Sequence, residues 1–141
     1  MDIEQYILAG YVKRIDPAED LIEKEFKEAE YDLDSAKKAI RDEDFKWATV
    51  KSYYSMFHAA KGVLFKIGLK EKTHFVIELV LEEISKDGKL ESTFVNDFKA
   101  ARSARMEADY NYEYSERSAK ELMKMAVEFL PRMKTLSKEF R

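Results

Sequence analysis

Three long stretches of this chain carry apolar residues at alternating steps of four and three, and that pattern fixes most of what the chain can fold into. The first runs through Ile22, Phe26, Ala29, Leu33, Ala36 and Ile40, the second through Val50, Tyr53, Phe57, Ala60, Leu64 and Ile67, and the third through Leu122, Ala126, Phe129, Met133, Leu136 and Phe140. An α-helix returns to the same side every three or four residues, so each set forms one apolar stripe that has to be buried against another element. A strand would need alternation at every second position. With only four glycines and two prolines in 141 residues, the chain also lacks the turn material of a β fold.

Shorter signals fill the gaps between these stripes. Pro17, following Asp16 as a cap, opens the first long helix, and the second starts near Asp44. Trp47, Tyr54, Met56 and Val63 add apolar surface on other sides of that second helix, which makes it the central one. Gly68 ends it, and Thr73 is placed to cap a helix carrying Phe75, Ile77, Val80, Leu81 and Ile84 that stops at Asp87-Gly88. A further helix covers Glu91 to Arg105. The last begins near Ser115, and Pro131 should kink it by deleting the amide bond to Val127. The start, MDIEQYILAGYVKR, reads as a short helix. No repeat of fixed length is visible, so the expected architecture is all-α: one domain over residues 1–141, built as an antiparallel bundle of four to five helices with a small N-terminal helix.

A chain of this length buries about two thirds of the surface exposed by its unfolded form, without disulfide or metal staples. There is no cysteine, which removes disulfides and thiolate chemistry and fits a reducing, cytoplasmic compartment. The early acids give no signal peptide, and the apolar segment Phe75 to Leu81 is broken by Glu78, far short of a membrane span. One glutamine and two asparagines among abundant Lys and Glu is a bias of heat-adapted proteins. The net charge of −3 is a poor footprint for sequence-independent binding to a phosphate backbone, so any nucleic-acid site must be local.

Local candidates lie in two places. Arg105 follows Phe94, Phe98 and Ala101 by eleven, seven and four residues, and Arg102 follows Val95 and Phe98 by seven and four, which sets both guanidinium groups beside an apolar stripe. Arginines there must meet acids, a wet cleft or a second subunit. Asp109, Glu107 and Asp97 are candidate ion-pair partners. The segment Glu107 to Tyr114, EADYNYEY, breaks the apolar periodicity, and its Tyr110, Tyr112 and Tyr114 offer rings for base stacking beside arginines suited to phosphate. On the central helix Tyr54, His58 and Lys61 stand four and three apart as a polar stripe on an apolar rod; a histidine in such a place is more often satisfied by one hydrogen bond than a ligand or a catalyst. His74, near Lys70 and Lys72, sits where a helix N-terminus attracts anions, although most such residues are a solvated helix start. Glu71 stands three before His74, but Ser55 holds the same place before His58, so there is no second Glu-x-x-His motif to match the first; with two histidines in all, neither a di-metal carboxylate bundle nor a structural zinc site is expected, and no cofactor motif is present.

The segment YYSMFHAAKGVLFKIGLKEKTH (Tyr53 to His74), followed about thirty residues later by ARSARMEADYNY, resembles prokaryotic HEPN domains, the helical partners of minimal nucleotidyltransferases. The resemblance runs from roughly Ala18 to Leu136. It implies a four- or five-helix bundle that forms a homodimer, with an Arg-x(4 to 6)-His motif in the cleft that cleaves RNA without a metal in active members. Here Arg105 is followed after four residues by Tyr110 in place of histidine, and then by Tyr112, which matches the tyrosine of the longer Arg-x4-His-x-Tyr form. A phenol, with a reference pKa of about 10, is a poor substitute for imidazole as a general base. The resemblance therefore implies a nucleotide- or RNA-binding member of a toxin-antitoxin pair whose partner nucleotidyltransferase modifies Tyr112. The alternative it leaves is a ribonuclease in which His58 or a tyrosine replaces the motif histidine. A third reading is a structural adaptor without a ligand.

Overall fold

In the computed structural model, which describes residues 3–140, the three striped segments are the three longest helices. These are α2 (Glu19–Arg41), α3 (Phe45–Lys66) and α6 (Glu116–Glu139), joined by α1 (Glu4–Leu8), α4 (Phe75–Lys86), α5 (Ser92–Tyr110) and two short strands, β1 (Val12–Arg14) and β2 (Leu69–Glu71). The all-α bundle is as expected. Helix α3 is the hub, packed against α2, α6 and α5, and Tyr53, Met56, Ala59, Ala60, Val63 and Leu64 along it are almost wholly buried. Each large side chain so buried contributes about 1.5–3 kcal/mol before entropy is counted. The Phe98 ring links three helices, with its centroid 6.0 Å from that of Tyr53 and 5.9 Å from that of Phe129. Gly62 lets α2 come close to α3, since a Cβ there would lie 2.8 Å from the Phe26 ring. Across the same interface the Ser55 hydroxyl donates to the Ala29 carbonyl at 2.8 Å.

Two of the expected helix starts are built by side-chain caps. Asp44 accepts from the Trp47 amide at 3.1 Å, and Ser115 and Ser118 form a reciprocal capping box. The other two differ. Helix α2 begins after Ala18 without a side-chain cap, so Asp16 and Pro17 precede it, and Pro17 instead stands beside Gly68. Helix α4 is entered through His74, already helical at φ −65° and ψ −36°, whose carbonyl accepts from Ile77; Thr73 does not cap it, and its buried hydroxyl has no protein partner.

Two further elements depart from the sequence expectation. Helix α5 continues past Arg105 to Tyr110, because Ala108 fills a core position and the carbonyl of Glu107 accepts from both Asn111 and Glu113 to close the helix end. Helix α6 runs on across Pro131, which lies on the exposed side of the helix. The antiparallel β1–β2 ribbon, pairing Val12 with Glu71, Lys13 with Lys70 and Arg14 with Leu69, was not expected. Its strands are too short to show alternation, yet they bury Val12 and Leu69 and tie the N-terminal segment to the end of α3. Among the described residues no helix is long and apolar enough to cross a membrane.

Candidate functional site

The polar stripe of α3 finds a partner for each of its members. The Tyr54 hydroxyl accepts from Arg105 Nη2 at 3.0 Å. His58 Nδ1 lies 2.9 Å from Glu25 Oε2, and Lys61 Nζ lies 3.2 Å from Glu25 Oε1 and 3.5 Å from Glu71 Oε2. Glu25 thus uses one oxygen for each of two groups on α3. Burial pushes its carboxyl up, but the hydrogen bond from His58 and the charge of Lys61 outweigh that and hold it below the usual glutamate range. His58 thus has one hydrogen-bond partner on α2.

Arg105 is the centre of the second group. Its guanidinium carbon is 5.4 Å from the Tyr54 ring centre, 5.7 Å from that of Tyr110 and 6.0 Å from that of Tyr53, within cation–π range of all three. Asp109, one helical turn on, brings Oδ2 to 2.8 Å from Nε, an ion pair by distance that lacks the alignment of a hydrogen bond. Arg102 pairs across to α4, with Nη1 2.7 Å from Glu78 Oε1. Its partner is therefore neither Asp97 nor Glu107; the Asp97 carboxyl is instead raised by burial and by Glu128. Burial of Tyr53 beneath Arg105 pushes its phenol up to about 12, so it stays neutral and serves as a packing surface.

His74 shows that these charges share one neighbourhood. Its ring lies 4.6 Å from that of Phe57, and burial draws its pKa below the usual imidazole value; Glu71 opposes this, while Arg105, Lys61 and Arg102 add to it. The same seam holds three buried polar atoms without an aligned hydrogen bond in the protein, Glu71 Oε1, Thr73 Oγ1 and Arg105 Nε. Buried polar groups are rarely left so unless water or a ligand reaches them. The seam gathers three cations, each paired with acids, beside aromatic rings, and at its edge Tyr110 is 66% exposed.

Of the three tyrosines in the acidic segment, only Tyr110 faces Arg105. Tyr112 is 74% exposed in the left-handed region (φ 56°), with Lys46 Nζ 5.2 Å from its ring centre at the other end of α3. Tyr114 lines a shallow hollow with Thr49, Ala104 and Ser118. Glu25, Glu71, Glu78 and Tyr53 belong to the site but do not stand out in the sequence. For Glu25 there is a signal: it lies three after Ile22 and four before Ala29, at the edge of the buried stripe of α2.

The profile of the HEPN domain family matches residues 22–136. A protein of the archaeon Methanocaldococcus jannaschii named "Putative toxin MJ0605" is 28% identical over 113 residues, which span 79% of this chain and 84% of that protein. The crystal structure of ST0689, described as an archaeal HEPN homologue, superposes with a TM-score of 0.67 at 22% identity and covers 82% of this chain and 97% of that one. That likeness bears on the fold, and the family match carries the assignment: the chain belongs to the HEPN domain family.

Proposed function

We propose that this HEPN protein binds nucleotide or RNA phosphate in the seam between α3, α5 and the start of α4, within a homodimer cleft, as one half of a toxin-antitoxin pair with a minimal nucleotidyltransferase. The observation that carries the reading is Arg105. A guanidinium held by Tyr54, ringed by Tyr53 and Tyr110, and flanked by Arg102, Lys61 and His74, is built to receive an anion with a stacking base. Asp109 lies 2.8 Å from Arg105 Nε without an aligned hydrogen bond, so an entering phosphate competes with that carboxylate for the guanidinium. The toxin name borne by the M. jannaschii relative supports the paired role. Tyr112, exposed and on a strained backbone, is accessible to a modifying partner.

The ribonuclease reading asks His58 to replace the missing motif histidine. Its two ring nitrogens face Glu25 and Asp32 on α2, away from the arginine, which favours binding over cleavage. Incubating the purified protein with RNA decides between them. Binding without cleavage, weakened in Arg105→Ala, is the expected result. Cleavage that ignores chelators and disappears in Arg105→Ala would establish the enzyme instead. If Arg105→Ala lowers stability and changes no binding, the residue is an ordinary ion-pair partner and the adaptor reading stands. An adjacent nucleotidyltransferase reading frame is the expected gene context.

A further inference from the structure

Helix α2 sets Glu25, Glu28 and Asp32 at steps of three and four on the side that meets α3, and His58 of α3 enters among them. The imidazole is held from one end. Glu25 Oε2, an acceptor only, lies 2.9 Å from Nδ1, so the ring hydrogen shared there belongs to Nδ1. In the neutral ring this leaves the lone pair of Nε2 directed at the Asp32 carboxylate, whose Oδ2 is 3.7 Å away, longer than a hydrogen bond. Two electron-rich atoms facing each other at that separation are stabilised by a positive centre between them. A first-row divalent ion, bonded to imidazole nitrogen and carboxylate oxygen at about 2.0–2.2 Å each, spans such a gap.

The surrounding groups are arranged for that occupant. One ligand atom each from Glu28, Asp32 and His58 lies within 4.8 Å of the others. The Asp32 side chain is only 5% exposed and divides its oxygens, Oδ1 accepting from Lys51 at 3.1 Å and Oδ2 turned to His58. Glu25 divides its own in the same way, between Lys61 and His58. Lys51 and Lys61 face Glu25, Glu28, Asp32 and the Glu71 that shares Lys61, so negative charge is in excess around the imidazole. Glu28 is exposed, so an ion bound there keeps open positions toward solvent. A carboxylate on the far ring nitrogen is the outer-shell arrangement that fixes the tautomer of a metal-ligating histidine.

We propose that Glu28, Asp32 and His58 form a binding site for a first-row divalent metal ion, with Glu25 orienting the imidazole. Sequence spacing concealed it, because the ligands come from two helices rather than from one Glu-x-x-His motif. The proposal is independent of the nucleotide reading. Its test is a titration of the full-length protein with Co2+, followed by visible absorption and competed by Zn2+, with no nucleotide present. The expected result is stoichiometric one-to-one binding that Zn2+ displaces and that Asp32→Asn abolishes. Glu25→Gln, acting through the ring orientation, should weaken binding by about 10- to 100-fold while leaving stoichiometry unchanged. Should Asp32→Asn fail to fold by circular dichroism, Glu28→Gln on the exposed side decides, and it too should weaken binding. No stoichiometric Co2+ binding, or binding that Glu28→Gln and Asp32→Asn leave intact, overturns the proposal.

Discussion

Glu25 holds two cationic or donor groups of α3 with its two oxygens, and acid should release both. Its carboxyl titrates below the usual range in the folded protein and near the reference of about 4.3 in the unfolded chain. Between those values the unfolded state binds more protons, so the stabilisation is complete above the unfolded pKa and disappears as pH falls through the folded one. Urea midpoints measured from neutral to acid pH should therefore fall more steeply for the native protein than for Glu25→Gln, which also loses about 1–3 kcal/mol at neutral pH. Parallel curves would show that the carboxylate does not grip α3. At this scale the sequence discloses less than it does for helices. Arg105 and Asp109 are one turn apart and can be paired on paper, whereas Arg102 with Glu78 and His58 with Glu25 depend on how α5 meets α4 and α3 meets α2. The tyrosine run shows the same limit, since the helix extension to Tyr110 turns that ring to Arg105 and the following turn carries Tyr112 away.

The helices were legible because a stripe of six apolar residues at steps of four and three has few other uses. Their ends were less so, being set by contacts between elements. Thr73 has the chemistry of a cap, but the chain is already helical at His74; Ala108 extends α5 through an acidic segment because it lands on the core. The β1–β2 ribbon depends on the turn at Gly68, whose φ of +82° swings the chain out of α3 and whose carbonyl accepts from Ile15. A Cβ there would meet the Ile15 carbonyl oxygen at 3.1 Å, whereas one at Gly88, with nearly the same φ of +80°, would meet nothing within 4 Å. Left-handed conformation alone costs a non-glycine residue about 1–2 kcal/mol. Gly88→Ala should lose about that much in denaturant unfolding, and Gly68→Ala more, with the excess vanishing in Gly68→Ala if the Ile15 carbonyl is free to move aside. Equal losses would mean that the ribbon yields and does not brace the end of α3.

For the whole molecule the governing quantity is charge. A net charge of −3 spread over acidic helices repels a polyanion everywhere except where arginine and lysine gather, and the seam at Arg105 gathers Arg102, Lys61 and His74. Even there the cations are shared, Arg102 with Glu78, Lys61 with Glu25 and Glu71, and Arg105 with Asp109. A single-stranded RNA that enters one protomer's seam can have no more than two or three phosphates neutralised there, against competition from those acids. Counterion release scales with that number at about −0.7 per phosphate, so the logarithm of the binding constant should fall with the logarithm of salt concentration at a slope between about −1 and −2. Arg105→Ala should flatten the slope as well as weaken binding, because it removes a phosphate contact and not only a packing partner. Fluorescence anisotropy of a short labelled RNA over a series of salt concentrations measures both. A slope steeper than about −4 would require a broad basic surface, which this acidic chain can assemble only by recruiting another molecule, and the binding site would then have to be sought outside the seam.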